Sequence, residues 1–323
     1  MNENPSNLAA PEPGPGELRA GMVAIVGRAN VGKSSLLNNI LGEKVSIVSP
    51  IAQTTRNLIR GILTEPRGQL VFLDTPGVHK ATHDLGRIMN KVARSAIEGV
   101  DVILLVLDVT VPPREEDDGW MRKLIKLGGG CVIAFNKVDH GRTYIDALRQ
   151  LWDKAVKELG ETCSPGFLPP LKDPIWMEVS ALTGQGIPEL LTLLFDRVPC
   201  GPLLFPADVL TDYPRMINIA DVIREKLYMH LRDELPHQVA VWIDSLDEQE
   251  GKWAVNGAIY VNQGSQKPIV LGEKGRRLRS VKRSSEGELS AMYGLPVRVN
   301  LWIKVEKHWS RNFWLLKKFG YVE

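Results

Sequence analysis

Gly27-Arg28-Ala29-Asn30-Val31-Gly32-Lys33-Ser34 is the stretch from which the rest of this chain is read. A short apolar run, Met22 to Val26, precedes it, and an apolar-periodic stretch, Lys33 to Leu41, follows it. The motif therefore lies where a strand passes into a helix. Its glycines let the backbone curl until successive N–H groups face one anion, and the helix N-terminus adds the positive end of its dipole. Lys33 can then reach the outer phosphates of a nucleotide, and the Ser34 hydroxyl can ligate Mg²⁺, with Ser35 next on the helix. A Gly-rich turn beside a solvated lysine gives the same string in isolation. Three further motifs, in a fixed order, separate the two readings.

Asp74-Thr75-Pro76-Gly77 closes an apolar strand, so its carboxylate can hold Mg²⁺ through water and the Gly77 N–H can meet a γ-phosphate. Asn136-Lys137-Val138-Asp139 follows another buried-type strand. A carboxylate at Asp139 accepts hydrogen bonds from guanine N1–H and the exocyclic amine, a donor pair that adenine lacks, which selects GTP over ATP. Ser180-Ala181-Leu182 comes last, and a backbone N–H there can bond the guanine O6. Between the first two motifs lies Gln53-Thr54-Thr55-Arg56, where a threonine can complete the Mg²⁺ shell and sense the γ-phosphate. Thr55 is chosen over Thr54. Val78 stands after Gly77, where many regulatory GTPases carry a glutamine that orients water. Valine cannot do so, and hydrolysis is expected to be slow, resting on Lys33, Thr55, the Gly77 backbone, Mg²⁺ and a second cation.

Working outward, Ile59 to Thr64 and Leu70 to Leu73 flank Glu65-Pro66-Arg67-Gly68 and read as a hairpin. Strand-like runs at Val102 to Val109, Val132 to Phe135 and Ile175 to Val179 alternate with helical patterns at Glu115 to Leu127, Ile145 to Leu159 and Ile187 to Val198. Such alternation predicts an α/β domain, a mostly parallel sheet covered on both faces, over residues 21–198. Residues 199–214, rich in proline, read as a linker. From 215 to 323 the pattern changes to a smaller α+β domain. It has a helix over Arg215 to Asp233, strands at Gln238 to Ser245, Trp253 to Val261 and Val297 to Val305, and helices after Gly275 and near Glu286 to Tyr293. Residues 1–20, with four prolines and no apolar period, read as a loose tail.

The 323 residues exceed what one core usually serves, in keeping with two domains. No apolar run nears the roughly 18 residues of a membrane span, so a cytoplasmic chain is expected. Cys131, Cys163 and Cys200 are too scattered for a disulfide framework or zinc site. The net charge of +2 hides an asymmetry: Gly264 to Glu323 carries 13 Lys and Arg against 5 Asp and Glu, a balance of +8. That end is a candidate surface for an anionic partner.

With these residues in hand the chain closely resembles the Era GTPase family over nearly everything after residue 20. The resemblance includes His79-Lys80, the Asp208 to Pro214 linker, Ile223-Arg224-Glu225-Lys226 and Gly320-Tyr321. It implies a P-loop GTPase domain joined to a K-homology (KH, type II) RNA-binding domain, and binding near the 3′ end of 16S ribosomal RNA during small-subunit maturation. A monomer with peripheral contact at the inner face of the cell membrane is also expected. Related GTPases with asparagine at the Asn30 position use K⁺ where others use an arginine finger, which makes K⁺ the expected second cation.

A KH domain clamps a single strand with a G-x-x-G loop entering a helix. Gly272-Glu273-Lys274-Gly275 is that loop here, with Arg276, Arg277 and Arg279, then Lys282 and Arg283, behind it. Glu273 departs from the family's usual loop and is expected to weaken or retune phosphate contact. Trp302, Trp309, Phe313 and Trp314 are read as buried rather than as stacking platforms. Two other classes compete. A KH protein with a merely structural nucleotide would need no γ-phosphate sensor such as Thr55, and an ATP phosphotransferase would not carry Asp139.

Overall fold

The computed structural model describes residues 18–51, 54–78, 84–128, 131–162, 174–232 and 235–321. The expectations for Gln53, His79-Lys80, Cys163, Asp233 and most of the N-terminal tail lie outside these residues.

Six strands, β1 (Arg19–Val26), β2 (Ile59–Glu65), β3 (Gly68–Asp74), β4 (Val102–Asp108), β5 (Cys131–Asn136) and β6 (Ile175–Val179), form one sheet in the order β2-β3-β1-β4-β5-β6. Only the β2/β3 hairpin is antiparallel. Alternation along β1 sends Val23 and Ile25 to one face, where Leu36 and Leu37 of α1 (Lys33–Leu41) and Leu190 and Leu194 of α5 (Ile187–Phe195) cover them. Ala24 and Val26 join the opposite face with residues of α2 (Asp84–Ser95), α3 (Glu115–Leu127) and α4 (Ile145–Thr162). β3, β4 and β5 are buried along their whole length, as continuous apolar strands between two helix layers must be.

Strand β1 begins at Arg19, earlier than the sequence suggests, because Arg19 pairs with Gly68 and Ala20 N donates to Pro199 O. α2, which the sequence pattern left unassigned, turns Leu85, Met89 and Ala93 inward, and Ile88 packs beside the first two. The stretch from 199 to 214 covers the outer side of β2, with Ile62 N donating to Leu210 O at 2.8 Å and Thr211 Oγ1 to Arg60 O at 2.5 Å. An otherwise open sheet edge is thereby satisfied.

The remainder is α6 (Arg215–His230), β7 (Val239–Gln249), β8 (Lys252–Val261), α7 (Gln266–Leu271), α8 (Arg276–Tyr293), β9 (Val297–Val305) and α9 (Phe313–Lys318). β7 and β8 are antiparallel, β8 and β9 parallel. Ile219, Ile223 and Leu227 of α6 and Val281 and Leu289 of α8 share a core with Val239, Ile259 and Val299. α6 stops at His230, short of the expected end. α8 is one continuous helix rather than two pieces, since Gly287 is exposed and leaves its backbone hydrogen bonds intact. Burial holds for Trp309, whose Nε1 donates to Gln238 O, but Trp302, Phe313 and Trp314 are 40%, 54% and 76% exposed. The short α9 is anchored by Leu316, and Phe313 and Trp314 lie on its outward side.

Candidate nucleotide and RNA sites

All four nucleotide motifs leave the C-terminal edge of the parallel strands, the edge at which open α/β sheets bind ligands. Gly32 sits at φ 98°, and a Cβ there would lie 2.3 Å from Asn136 Nδ2, so only glycine fits. Lys33 Nζ donates to Gly27 O (3.1 Å) and Arg28 O (2.9 Å), which aims the ammonium along the loop interior. Burial pulls its pKa down to about 8, with Asp74 opposing and Arg28 adding to the fall. A cleft of about 430 Å³ opens beside it, lined by Ala29, Asn30, Ser34, Ser35, Thr55 and Gly77 among others.

Ser34 Oγ donates to Asp74 Oδ2 at 2.6 Å and lies 2.9 Å from Thr55 Oγ1. Thr54 instead turns its hydroxyl to Ile51 O, so Thr55 alone of the pair joins the cluster. Asp74 is fully buried, its Oδ1 without a hydrogen-bond partner, and burial raises its pKa against the pull of Lys33, Ser34 and Ser46. Two hydroxyls and a carboxylate with an unmet oxygen suit a hard, oxygen-seeking dication. Gly77 passes so close that a Cβ would lie 2.5 Å from Ala29 Cα, and Val78 N reaches Gly27 O at 3.4 Å. Pro76 and Gly77 thus follow Thr75, whose hydroxyl donates to Ile25 O, across the mouth of the loop.

Asn136 ties the base side together: its Nδ2 donates to Val31 O (2.7 Å) and its Oδ1 accepts from Ala181 N (2.9 Å). Lys137 Nζ donates to Asn30 O and to Asp108 Oδ2. Asp139 follows in a short helical turn, Ser180 is buried, and Leu182 is 74% exposed at the rim. Asn30 adopts φ 64° and spends its Nδ2 on Pro50 O, which leaves Oδ1 as the side-chain atom suited to a cation.

Sequence reasoning missed several supports. Arg28 sends its side chain inward to Asp117 (3.1 Å), away from the cleft, so its part in the loop is played by its backbone. Ser46 Oγ donates to Asp74, and Asn39 Nδ2 to Ala181 O. Asp108 is buried, yet hydrogen bonds from Lys137 and Thr110 outweigh that burial and lower its pKa. These residues carry no local signal; only the fold brings them near.

In the second half, Gly272 sits where a Cβ would meet Arg277 Cβ at 2.6 Å, and Lys274 takes a left-handed φ of 48° with its side chain exposed. Glu273 pairs with Arg276, and Arg277 donates back to Ile269 O. Lys274, Arg276 and Arg279 are exposed, and of the three Arg276 is the one that Glu273 pairs with.

A family model described as a 50S ribosome-binding GTPase matches residues 22–137, and one described as a KH domain matches residues 234–310. Fold and site together define a P-loop GTPase domain followed by a smaller KH domain. The chain is 40% identical to the GTPase Era of Geobacter sp. (strain M21), covering 94% of this chain and 98% of that protein. It is 36% identical to the GTPase Era of Synechocystis sp., covering 95% and 94%. This chain belongs to the Era GTPase family. Among solved structures, a variant of Era from Aquifex aeolicus bound to GDP·AlF4⁻ matches with TM-score 0.83 and 35% identity, covering 95% of this chain and 100% of that one. Era in complex with MgGDPNP and nucleotides 1506–1542 of 16S ribosomal RNA matches with TM-score 0.84, 35% identity and the same coverage.

Proposed function

We propose that this chain is a GTP-hydrolysing switch that binds 16S ribosomal RNA near its 3′ end through its KH domain and assists assembly of the small ribosomal subunit. The observation that carries the reading is the union, in one chain, of a γ-phosphate-sensing cleft at Thr55, Asp74 and Gly77 with a glycine-framed basic loop at Lys274 and Arg279. The relative bound to MgGDPNP and the 3′ segment of 16S RNA spans both halves. Asp139 would read guanine, the Ser180 to Leu182 loop would meet its O6, and Lys33 would hold the β and γ phosphates. Ser34 and Thr55 would ligate Mg²⁺ directly and Asp74 through water. Mg²⁺, when bound, supplies charge neutralisation between those phosphates.

With valine at position 78, the residues that act on the transition state are Lys33, Thr55 and the Gly77 backbone. K⁺ at Asn30 would add the missing cation, and equal hydrolysis rates in matched K⁺ and Na⁺ buffers would remove that assignment. Among the described residues no helix is long and apolar enough to cross a membrane. We read the chain as a cytoplasmic monomer with peripheral membrane contact at most.

The decisive experiment is a footprint on precursor 16S RNA with GDP and with a non-hydrolysable GTP analogue, run beside free 30S and 50S subunits. Protection of the 3′ segment, stronger with one nucleotide, is expected. Protection confined to the 50S subunit would transfer the function to the large subunit, which the G-domain model's description names.

A further inference from the structure

The segment from Lys44 to Arg56 joins α1 to β2 and carries Thr55, yet the second domain supplies much of what holds it. Ile47 belongs to the same buried cluster as Ile219, Ile223, Val239 and Val281, and Ile51 packs against that cluster. Asn218 Nδ2 donates to Val45 O (3.3 Å), and Glu225 accepts from Val48 N (3.2 Å) while pairing with Lys44 (2.7 Å). Closer to Thr55 the grip tightens. Arg224 Nη2 donates to Thr54 O at 2.9 Å on one side, and on the other Arg56 donates to Val239 O (2.9 Å) and Pro236 O (3.2 Å). A single hydroxyl, Tyr321 Oη, accepts from both Arg224 (2.9 Å) and Arg56 (3.2 Å).

These groups are buried: Arg224 and Arg56 are 2% exposed and Tyr321 is 4%. Asp221 balances Arg224 at 2.9 Å, and the rings of Tyr228, Trp309 and Tyr321 lie within 5.9 Å of the Arg56 guanidinium. Withdrawing a buried guanidinium would leave several polar groups unpaired, so the residues flanking Thr55 hold one arrangement while the second domain stays docked. In that arrangement the Thr55 hydroxyl faces Ser34. None of the three side chains lines the nucleotide cleft.

We propose that Arg56, Arg224 and Tyr321 form a clamp through which the KH domain positions Thr55 for Mg²⁺ and the γ-phosphate, so that they are positioning residues for GTP hydrolysis. The proposal rests on the GTPase reading above and deepens it. It gives Arg224 within Ile223-Arg224-Glu225-Lys226, and Tyr321 within Gly320-Tyr321, a role toward the nucleotide rather than toward RNA. Linkage requires the converse as well: a nucleotide that engages Thr55 favours the docked domain by the same factor.

The test uses the full-length chain. Tyr321→Phe removes one hydroxyl and keeps the ring in its cluster; Arg224→Lys keeps a charge beside Asp221 and shortens the reach to Thr54 O. Each variant is titrated with GDP and with a non-hydrolysable GTP analogue at saturating Mg²⁺, its single-turnover hydrolysis is timed, and its thermal transition is recorded. The preference for analogue over GDP and the hydrolysis rate are both expected to fall roughly 3- to 10-fold, the scale of one net hydrogen bond, with GDP affinity unchanged and the thermal transition lowered by roughly 2–8 °C but still a single cooperative step. In a Thr55→Ala background, Tyr321→Phe should lower the preference no further, because its effect passes through the missing hydroxyl. Parental preference and rate in both folded variants would overturn the proposal. So would an equal loss of GDP and analogue affinity, or full additivity with Thr55→Ala. A parent that fails to hydrolyse GTP would refute the GTPase reading itself, before any variant is compared.

Discussion

Asn136→Ala should loosen the nucleotide site without touching any group assigned to the phosphates. Its carboxamide is 1% exposed and makes two hydrogen bonds, to Val31 O at 2.7 Å and from Ala181 N at 2.9 Å, that join the phosphate loop to the base loop. At about 1–1.5 kcal/mol for each bond, with both partners left in a buried environment, the loss is about 2–3 kcal/mol. For a folding unit of the G domain's size, that lowers its melting temperature by roughly 4–12 °C. If the two loops part, GDP affinity falls by the same free energy, roughly 30- to 150-fold. Calorimetric melting with and without GDP, beside a fluorescent-GDP titration, reads both. Asn136→Asp should fall between parent and alanine variant, because it keeps an acceptor for Ala181 N–H but sets a carboxylate against Val31 O. An alanine variant that melts within about 1 °C of the parent and binds GDP equally well would refute the cross-link.

Three more outcomes are expected. Asp139→Asn should shift base preference from GTP toward XTP, since an amide can donate to a 2-oxo group; an unchanged ranking in a competition titration would exclude Asp139 as the base reader. Lys274→Asp, at a left-handed position that aspartate tolerates, should weaken binding of a single-stranded 16S fragment and lower its salt slope by about 0.7 to 1 while basal GTP hydrolysis is unaltered. A salt series identical to the parent's would make the loop a structural turn. Lys33, held down to about 8 by burial, is neutral in the free protein above that pH and charged below it. Phosphates restore the charge, so nucleotide binding should take up a proton above about pH 8 and none from this group near pH 6.5, as calorimetry in buffers of different ionisation enthalpy would read. The unfolded lysine binds its proton up to about 10.5, so this group adds stability to the free protein as pH rises from 8 to 10.5.

What local pattern specifies here is considerable, because each nucleotide motif is a short string at the end of an apolar run. Gly27 to Ser34, Asp74 to Gly77, Asn136 to Asp139 and Ser180 to Leu182 each needs only its own backbone turn, and strand alternation with helical periodicity supplies the sheet and its layers. The G-x-x-G turn into α8 is local in the same way. α2 was passed over although Leu85, Ile88, Met89 and Val92 recur at helical spacing, whereas the six residues of α9 are too few to show a period. Neither was the exposure of Trp302, Phe313 and Trp314, because an aromatic side chain carries no mark of which side of its element meets a neighbour. The long-range side-chain bonds of Asn136 and Arg28, and the Arg56–Tyr321–Arg224 clamp, lie further still from sequence reading. Their partners are as many as 265 residues away, and nothing within a window of one helix or strand encodes a hydrogen bond closed only when two domains pack. Composition and periodicity determine which elements form and which loops can bend around a phosphate. Which polar groups meet across the interface is set by packing, where burying a guanidinium is tolerable only in the one arrangement that satisfies it.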